Sequence, residues 1–488
     1  MDAFTDATAQ AGAVRTGRTT SRKLVEQALD RIERYDGRLH ALVTVDADGA
    51  RTAADAADAA VRDGARTGPL HGVPVTLKDA WATAGLRTTT GSAEQATVPD
   101  GDAAVVAALR AAGAVVVGKT SVPPGITGQE TANDLVGRAC NPWDLTRTTG
   151  GSSGGAAAAV ATGLVALDVG SDLGGSVRQP AHCCGVFGHA ASHGLLPMRG
   201  HLPRLPLDVE SDVDLLTAGP LTRSADDLAL ALRVLARDAP DRGGPWRRDL
   251  PAPAGPLRGL RVAAWLDDPV CPVTPEVGEV LAETVERLRG AGVTVDEQAR
   301  PVDLAEAREI TFSLWVAASS YSSDDEQLEH LAAEARGYAA DDLSFPALRA
   351  RAEAMGHRDW LRLDERRARL LNGWREFFRS YDVLLCPAQP WTAVPHDPEP
   401  EQVPSVDRRL ERTVTTATGE RPYLDMLTWM VLVTGVGLPG TVAPVGVASD
   451  GLPVGLQVVG AHGHDLTTIS VAGEIASLAG GWRRPPGF

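Results

Sequence analysis

Cysteine is scarce and odd in number. The 488 residues hold five: Cys140, Cys183, Cys184, Cys271 and Cys386, two of them adjacent. An odd count in a long chain excludes a disulfide framework. No Cys-x-x-Cys or Cys/His spacing offers a zinc site. Basic charge is also short. There are 47 Lys and Arg against 63 Asp and Glu, for a net charge of −16. That balance repels polyanions and predicts neither nucleic acid nor membrane as a partner. The opening MDAFTDATAQ has no basic start and no apolar core, so no signal peptide is expected. Long hydrophobic runs are missing too. Of two uncharged stretches, 148–167 is rich in Gly, Ser and Ala, and 427–448 is broken by Gly435, Gly437, Pro439 and Gly440. Both read as buried core rather than membrane spans, and the compartment expected is the cytoplasm.

What is present suits one large α/β domain spanning 1–488. Hydrophobic content is 43% and charged content 23%, as in soluble globular chains with an ample core. Residues 21–35 read as an amphipathic helix, with Leu24, Val25, Ala28, Leu29 and Ile32 on one face. Helices are also expected at 50–62, 103–112, 156–162, 274–290 and 467–478. Strands are expected at 73–78, 114–117, 164–169, 259–265, 381–386, 441–447 and 456–459. The alternation predicts a mixed, largely parallel sheet covered by helices on both faces. The charged stretch 304–378 reads as a helical insertion that shapes a pocket. Residues 240–257 and 393–407, rich in Pro with Gly or acid, read as connections. No internal repeat is visible.

The chemistry sits in two glycine-flanked serines. Gly150-Gly151-Ser152-Ser153-Gly154-Gly155 is followed, 24 residues from Ser152, by Ser176 in Asp172-Leu173-Gly174-Gly175-Ser176-Val177-Arg178. Lys78 ends the apolar run 74 residues upstream of Ser152. Serine needs a base to become a nucleophile. A buried lysine can lose its charge and serve as that base. Glycines free backbone N–H groups to cradle an oxyanion.

Two other motifs fail on context. Gly113 to Thr120 has the spacing of a phosphate loop, but β-branched residues fill it and Pro123-Pro124 follows where a helix is required. Gly151-Ser152-Ser153-Gly154-Gly155 approaches the Gly-x-Ser-x-Gly elbow, but Asn141 to Thr149 is no central strand. His71, His182, His189, His193 and His462 then read as packing or surface residues.

Together these motifs resemble the amidase signature family. The likeness rests on 150–181, on Leu70-His71-Gly72-Val73-Pro74 with Lys78-Asp79, and on Gly118-Lys119-Thr120 and Asn141-Pro142-Trp143. Gly437-Leu438-Pro439 and 452–457 add to it. The resemblance implies a Lys–Ser–Ser serine hydrolase with no metal or organic cofactor. Lys78 would be the base, Ser152 the bridging serine on a cis peptide, and Ser176 the nucleophile. The N–H groups of Leu173, Gly174, Gly175 and Ser176 would form the oxyanion hole. Ser153 would support the relay, Asp172 and Arg178 would scaffold the nucleophile, and Ile126 would line the substrate pocket.

The chain departs from the family pattern at Asp168, where a small residue is usual, and at Ala190-Ala191-Ser192, where a Lys-Pro pair is usual. His182 and Cys183 replace apolar residues. The reading that follows is hydrolysis of a small or medium organic amide through a serine acyl-enzyme. Esters and carbamates are alternatives on the same triad. The glutaminase subunit of a tRNA-dependent amidotransferase is another, although its Ser-Ser-Leu-Asp-Gln tract is replaced here by Asp214-Leu215-Leu216-Thr217-Ala218. A non-catalytic binding protein is disfavoured because Lys78, Ser152 and Ser176 are all present. The sequence leaves the oligomeric state open, with a homodimer one possibility.

Overall fold

Strand Pro74–Lys78 shows how the sequence builds the core. Alternate residues point to opposite faces of a strand. Val75 and Leu77 enter one hydrophobic core, while Thr76 and Lys78 face the other way. The neighbouring strand Leu167–Asp172 follows the same rule: Leu167 and Val169 join that core, and Asp168 pairs with Thr76.

The computed structural model describes residues 1–202, 212–236, 250–320, 323–397, 406–417 and 419–488. Eleven strands form one sheet within a single large domain. Their order is Leu42–Val45, Val115–Thr120, Pro74–Lys78, Leu167–Asp172, Thr217–Thr222, Phe187–Ala190, Gly440–Val447, Pro453–Val459, Val383–Pro387, Val262–Ala264 and Val295–Asp296. The expectation of a largely parallel sheet is corrected, because four of the ten neighbour pairings are parallel and six antiparallel. The four central strands from Thr217–Thr222 to Pro453–Val459 form an antiparallel run, which helix–strand alternation does not reveal.

Helices cover both faces. Ala104–Ala111, Ala225–Ala236, Pro275–Gly290 and Asp465–Ala479 share a core with Val75 and Leu77. Ser21–Leu39, Ala47–Arg62, Gly154–Ala161 and Arg178–Cys184 enclose the opposite core. Among the described residues the 304–378 stretch carries four α-helices: Leu304–Ser319, Asp325–Ala335, Phe345–Glu353 and His357–Ser380. Of the two expected connections, 240–249 and 398–405 lie outside the described residues, and Val406–Glu411 is helical. The phosphate-loop spacing falls largely on strand Val115–Thr120, so Lys119 belongs to the sheet. Among the described residues no helix is long and apolar enough to cross a membrane.

Candidate active site

Lys78 ends its strand fully buried. Its Nζ lies 2.7 Å from Ser152 Oγ, 3.2 Å from the Ser171 carbonyl oxygen and 3.0 Å from Ser171 Oγ. Burial pushes the amine down to about 7, while the charges of Asp172 and Asp168 oppose that shift. A neutral amine has two N–H donors and one lone pair. The Ser171 carbonyl can only accept, and Ser171 Oγ can take the second N–H. The lone pair is then left for the hydroxyl of Ser152. His201 Nε2 stands 2.8 Å from Ser171 Oγ and extends the chain of polar contacts.

Ser152 is 2% exposed and sits at the tight entry to helix Gly154–Ala161. The Gly151–Ser152 peptide is cis. A Cβ on Gly151 would lie 2.7 Å from the Gly128 carbonyl oxygen, so the loop admits only glycine there. The expected support from Ser153 is corrected. Its hydroxyl is buried without a hydrogen bond, because it packs over Gly170 rather than beside Lys78. The second hydroxyl at Lys78 comes from Ser171, delivered by strand Leu167–Asp172. Ser153 contributes its backbone instead, donating its N–H to the Ser176 carbonyl at 3.1 Å.

Ser176 stands on the turn between that strand and helix Arg178–Cys184. Asp172 organises the turn. Its carboxylate accepts the N–H of Gly175 at 2.8 Å and of Val177 at 3.0 Å, and pairs with Arg178 through two guanidinium nitrogens at 2.8 and 3.0 Å. Burial pushes the Asp172 carboxyl up, but the Arg178 charge and these hydrogen bonds outweigh it and hold it below the usual carboxylate value. Arg178 also reaches the Met430 carbonyl at 3.1 Å, Gln457 Oε1 at 2.8 Å and Thr434 Oγ1 at 2.6 Å.

This arrangement removes Gly175 from the expected oxyanion set, since its N–H is already given to Asp172. Gly175 has a different task. At φ 110° it brings the turn against Met430, whose Cγ would lie 2.7 Å from a Cβ there. Among the described residues, the N–H groups of Leu173, Gly174 and Ser176 have no hydrogen-bond partner.

Ser152 and Ser176 open onto one cavity of about 720 Å³. Ile126, Phe312, Trp315 and Leu424 give it apolar walls. Ile126 has φ 55°, an uncommon conformation for a β-branched residue, beside Gly125 at φ 61°. Helix Leu304–Ser319 sets Trp315 over the serine turn, with its ring 3.9 Å from where a Gly174 Cβ would stand.

Behind the site lies a second buried charge group. Asp168 Oδ2 accepts the hydroxyls of Thr76 at 2.6 Å and Thr120 at 3.0 Å, while Oδ1 is buried without a hydrogen bond. Burial pushes this carboxyl up to about 6, against the pull of both threonines, Lys78 and Lys119. Burial likewise pushes Lys119 down to about 8. Its Nζ donates to the Trp81 carbonyl, Thr83 and Thr88, and lies 3.9 Å from Asp79.

The histidines named from sequence have other partners. His182 accepts the Gly455 N–H at 3.0 Å and lies 3.0 Å from the Trp391 carbonyl, and burial pushes it down to about 4. His189 sits between Thr441 and Asp465, and Ser192 donates its hydroxyl to Asp465 at 2.6 Å. Asp465 thus anchors the segment that departs from the usual Lys-Pro pattern. Sequence reasoning missed Ser171 and His201. The Gly-Ser-Asp run before the glycines contains a signal for Ser171, and nothing local marks His201.

Residues 23–469 match the family model Amidase. A glutamyl-tRNA(Gln) amidotransferase subunit of Roseiflexus sp. (strain RS-1) is 33% identical over 92% of this chain and 91% of its own. A solved structure described as an amidase is 29% identical with a TM-score of 0.78, covering 97% of this chain and 99% of its own. A chain from a vestigial complex tied to the origins of an s-triazine catabolic enzyme is 28% identical. Its TM-score is 0.80, over 98% of this chain and 100% of its own. The first of these corrects the exclusion of nucleic acid, because that relative's name carries a tRNA. Whole-chain net charge averages over the surface and does not exclude such a partner. With this likeness over nearly its full length, the chain belongs to the amidase signature family and is an amidohydrolase.

Proposed function

We propose that the chain cleaves the C–N bond of a small or medium, mainly apolar amide through an acyl-enzyme on Ser176. The observation that carries this reading is Lys78 Nζ, pushed down to about 7, lying 2.7 Å from Ser152 Oγ. Neutral Lys78 takes the Ser152 proton as Ser152 takes that of Ser176, and Ser176 Oγ attacks the carbonyl carbon. The N–H groups of Leu173, Gly174 and Ser176 stabilise the oxyanion. The proton returns through Ser152 to the leaving nitrogen as the C–N bond breaks. Water then attacks the ester by the same route and releases the acid. Asp172 and Arg178 hold the turn in shape.

A panel of primary amides, anilides, esters and carbamates, read against Ser176→Ala, tests this function. A second reading, the glutaminase component of an amidotransferase, is favoured by the 33% identity to an amidotransferase subunit over 92% of the chain. Glutamine as the sole amide cleaved, and only with partner proteins and charged tRNA present, would replace the first reading with the second.

The base assignment fixes a pH dependence. Protonated Lys78 cannot accept a proton, so kcat/KM should fall about tenfold per unit below an inflection near 7 and level off above it. Lys78→Ala should lose about 10²–10⁴-fold in kcat while remaining folded. A flat profile across pH 5–9 removes Lys78 from the base role.

Asp168 should set where that inflection lies. Its negative charge favours protonated Lys78. Asp168→Asn keeps an acceptor for Thr76 and Thr120 but removes the charge, so the inflection should move to lower pH. A shift to higher pH, or none, contradicts this role.

A further inference from the structure

The cavity beside Ser176 is mainly apolar, yet charged side chains also line it: Asp212, Asp214, Arg349, Glu353 and Arg409. Most of them are matched. Asp214 pairs with Arg367 at 2.8 Å, and Arg349 pairs with Glu353 at 3.1 Å. Asp212 is engaged as well. Arg409, on helix Val406–Glu411, differs. Among the described residues it has no ion pair and no hydrogen bond, and its Nε is buried without an acceptor.

An unpaired guanidinium in a partly buried site is unfavourable, because it loses water and gains no counter-charge. Burial and the nearby Arg349 both push Arg409 below its ordinary value, with Tyr423 opposing them. Arg349 does not relieve the imbalance, since its charge is spent on Glu353. A planar guanidinium offers a fork of donors that matches a carboxylate in two parallel hydrogen bonds. The surrounding walls, Phe312, Trp315, Leu424 and Ile126, suit a hydrocarbon spacer.

We propose that Arg409 is a specificity residue that binds a carboxylate on the substrate. The substrate class is then an amide joined through a short apolar spacer to a carboxylate. This inference rests on the hydrolase reading of the same cavity and deepens it. The amide carbonyl lies at Ser176, the spacer runs along the aromatic wall, and the carboxylate ends on Arg409.

Calorimetric binding to Ser176→Ala tests the proposal without turnover. The probes are glutaramate and adipamate, with the carboxylate on the acyl side, and N-acetyl-4-aminobutyrate, with it on the amine side. Each is compared with its methyl ester. At least one acid should bind about 10–100-fold tighter than its ester, as expected for a charge-assisted pair. Arg409→Met in the same background should erase that ratio, and Arg409→Lys should retain part of it. Thermal denaturation reports whether each variant is folded, and the acid-to-ester ratio needs no variant at Arg409. Equal binding of acids and esters throughout overturns the proposal, as does an undiminished preference in folded Arg409→Met. An acid preference in a chain whose native form cleaves no amide refutes the hydrolase reading and leaves carboxylate binding by Arg409 standing.

Discussion

Ser176→Ala should lower amide turnover by about 10⁶-fold, the scale lost when an enzyme's only nucleophile is removed. Little should change in the fold, because no hydrogen bond of the Ser176 hydroxyl is among those that hold the turn. The same substitution should abolish covalent labelling by a fluorophosphonate. Ser152→Ala should behave differently. It cuts the proton path between Lys78 and Ser176 but leaves the nucleophile and the N–H groups of Leu173 and Gly174. Labelling should persist at Ser176, slowed by about 10²–10⁴-fold. Mass spectrometry of the labelled peptide discriminates between the serines. A label on Ser152 in the native enzyme would exchange their roles.

Asp172→Ala should cost about 3–5 kcal/mol of stability, as when one partner of a buried ion pair is removed. Arg178 and Asp172 are each 1% exposed, so the remaining charge has little access to water. The N–H groups of Gly175 and Val177 lose their acceptor at the same time. Urea unfolding measures the loss. The double variant Asp172→Leu/Arg178→Met should recover only part of it. Neither charge is left buried alone, but the turn N–H groups and the acceptors on Met430, Thr434 and Gln457 still lose these partners. It should not recover activity, since Asp172 also shapes the turn under Ser176. A loss below about 1 kcal/mol for Asp172→Ala would show that the pair does not anchor the turn.

Local patterns were legible where neighbours in sequence carry the information. The predicted strand 73–78 is Pro74–Lys78, and the helix read at 21–35 lies within Ser21–Leu39. The two glycine-serine runs named both loops that open on the cavity. Thr217–Thr222 was not legible because it contains Gly219-Pro220, a pair that ordinarily signals a turn, yet it lies inside the sheet. Ser171 was missed as a partner of Lys78 because 93 residues separate them and adjacent strands bring them together. His201 reaches Ser171 from 30 residues further on. The fate of the Gly175 N–H depended on where the Asp172 carboxylate pointed, and spacing alone carries no such direction. Arg409 has the same character: its significance lies in what does not surround it.

The reach of Arg178 bears on the order in which the protein becomes active during synthesis. Lys78, Ser152 and Ser176 have all been translated before Arg178 is added. Besides Asp172, the groups that hold its guanidinium, Met430, Thr434 and Gln457, follow 252, 256 and 279 residues later. A growing chain therefore carries its complete set of reactive side chains, and the Asp172 contacts of the serine turn, for more than half of its elongation without the three groups that brace Arg178 from the C-terminal part. Competence to hydrolyse is expected to arrive late, with the C-terminal strands, and a chain ending before Met430 should show no amide turnover.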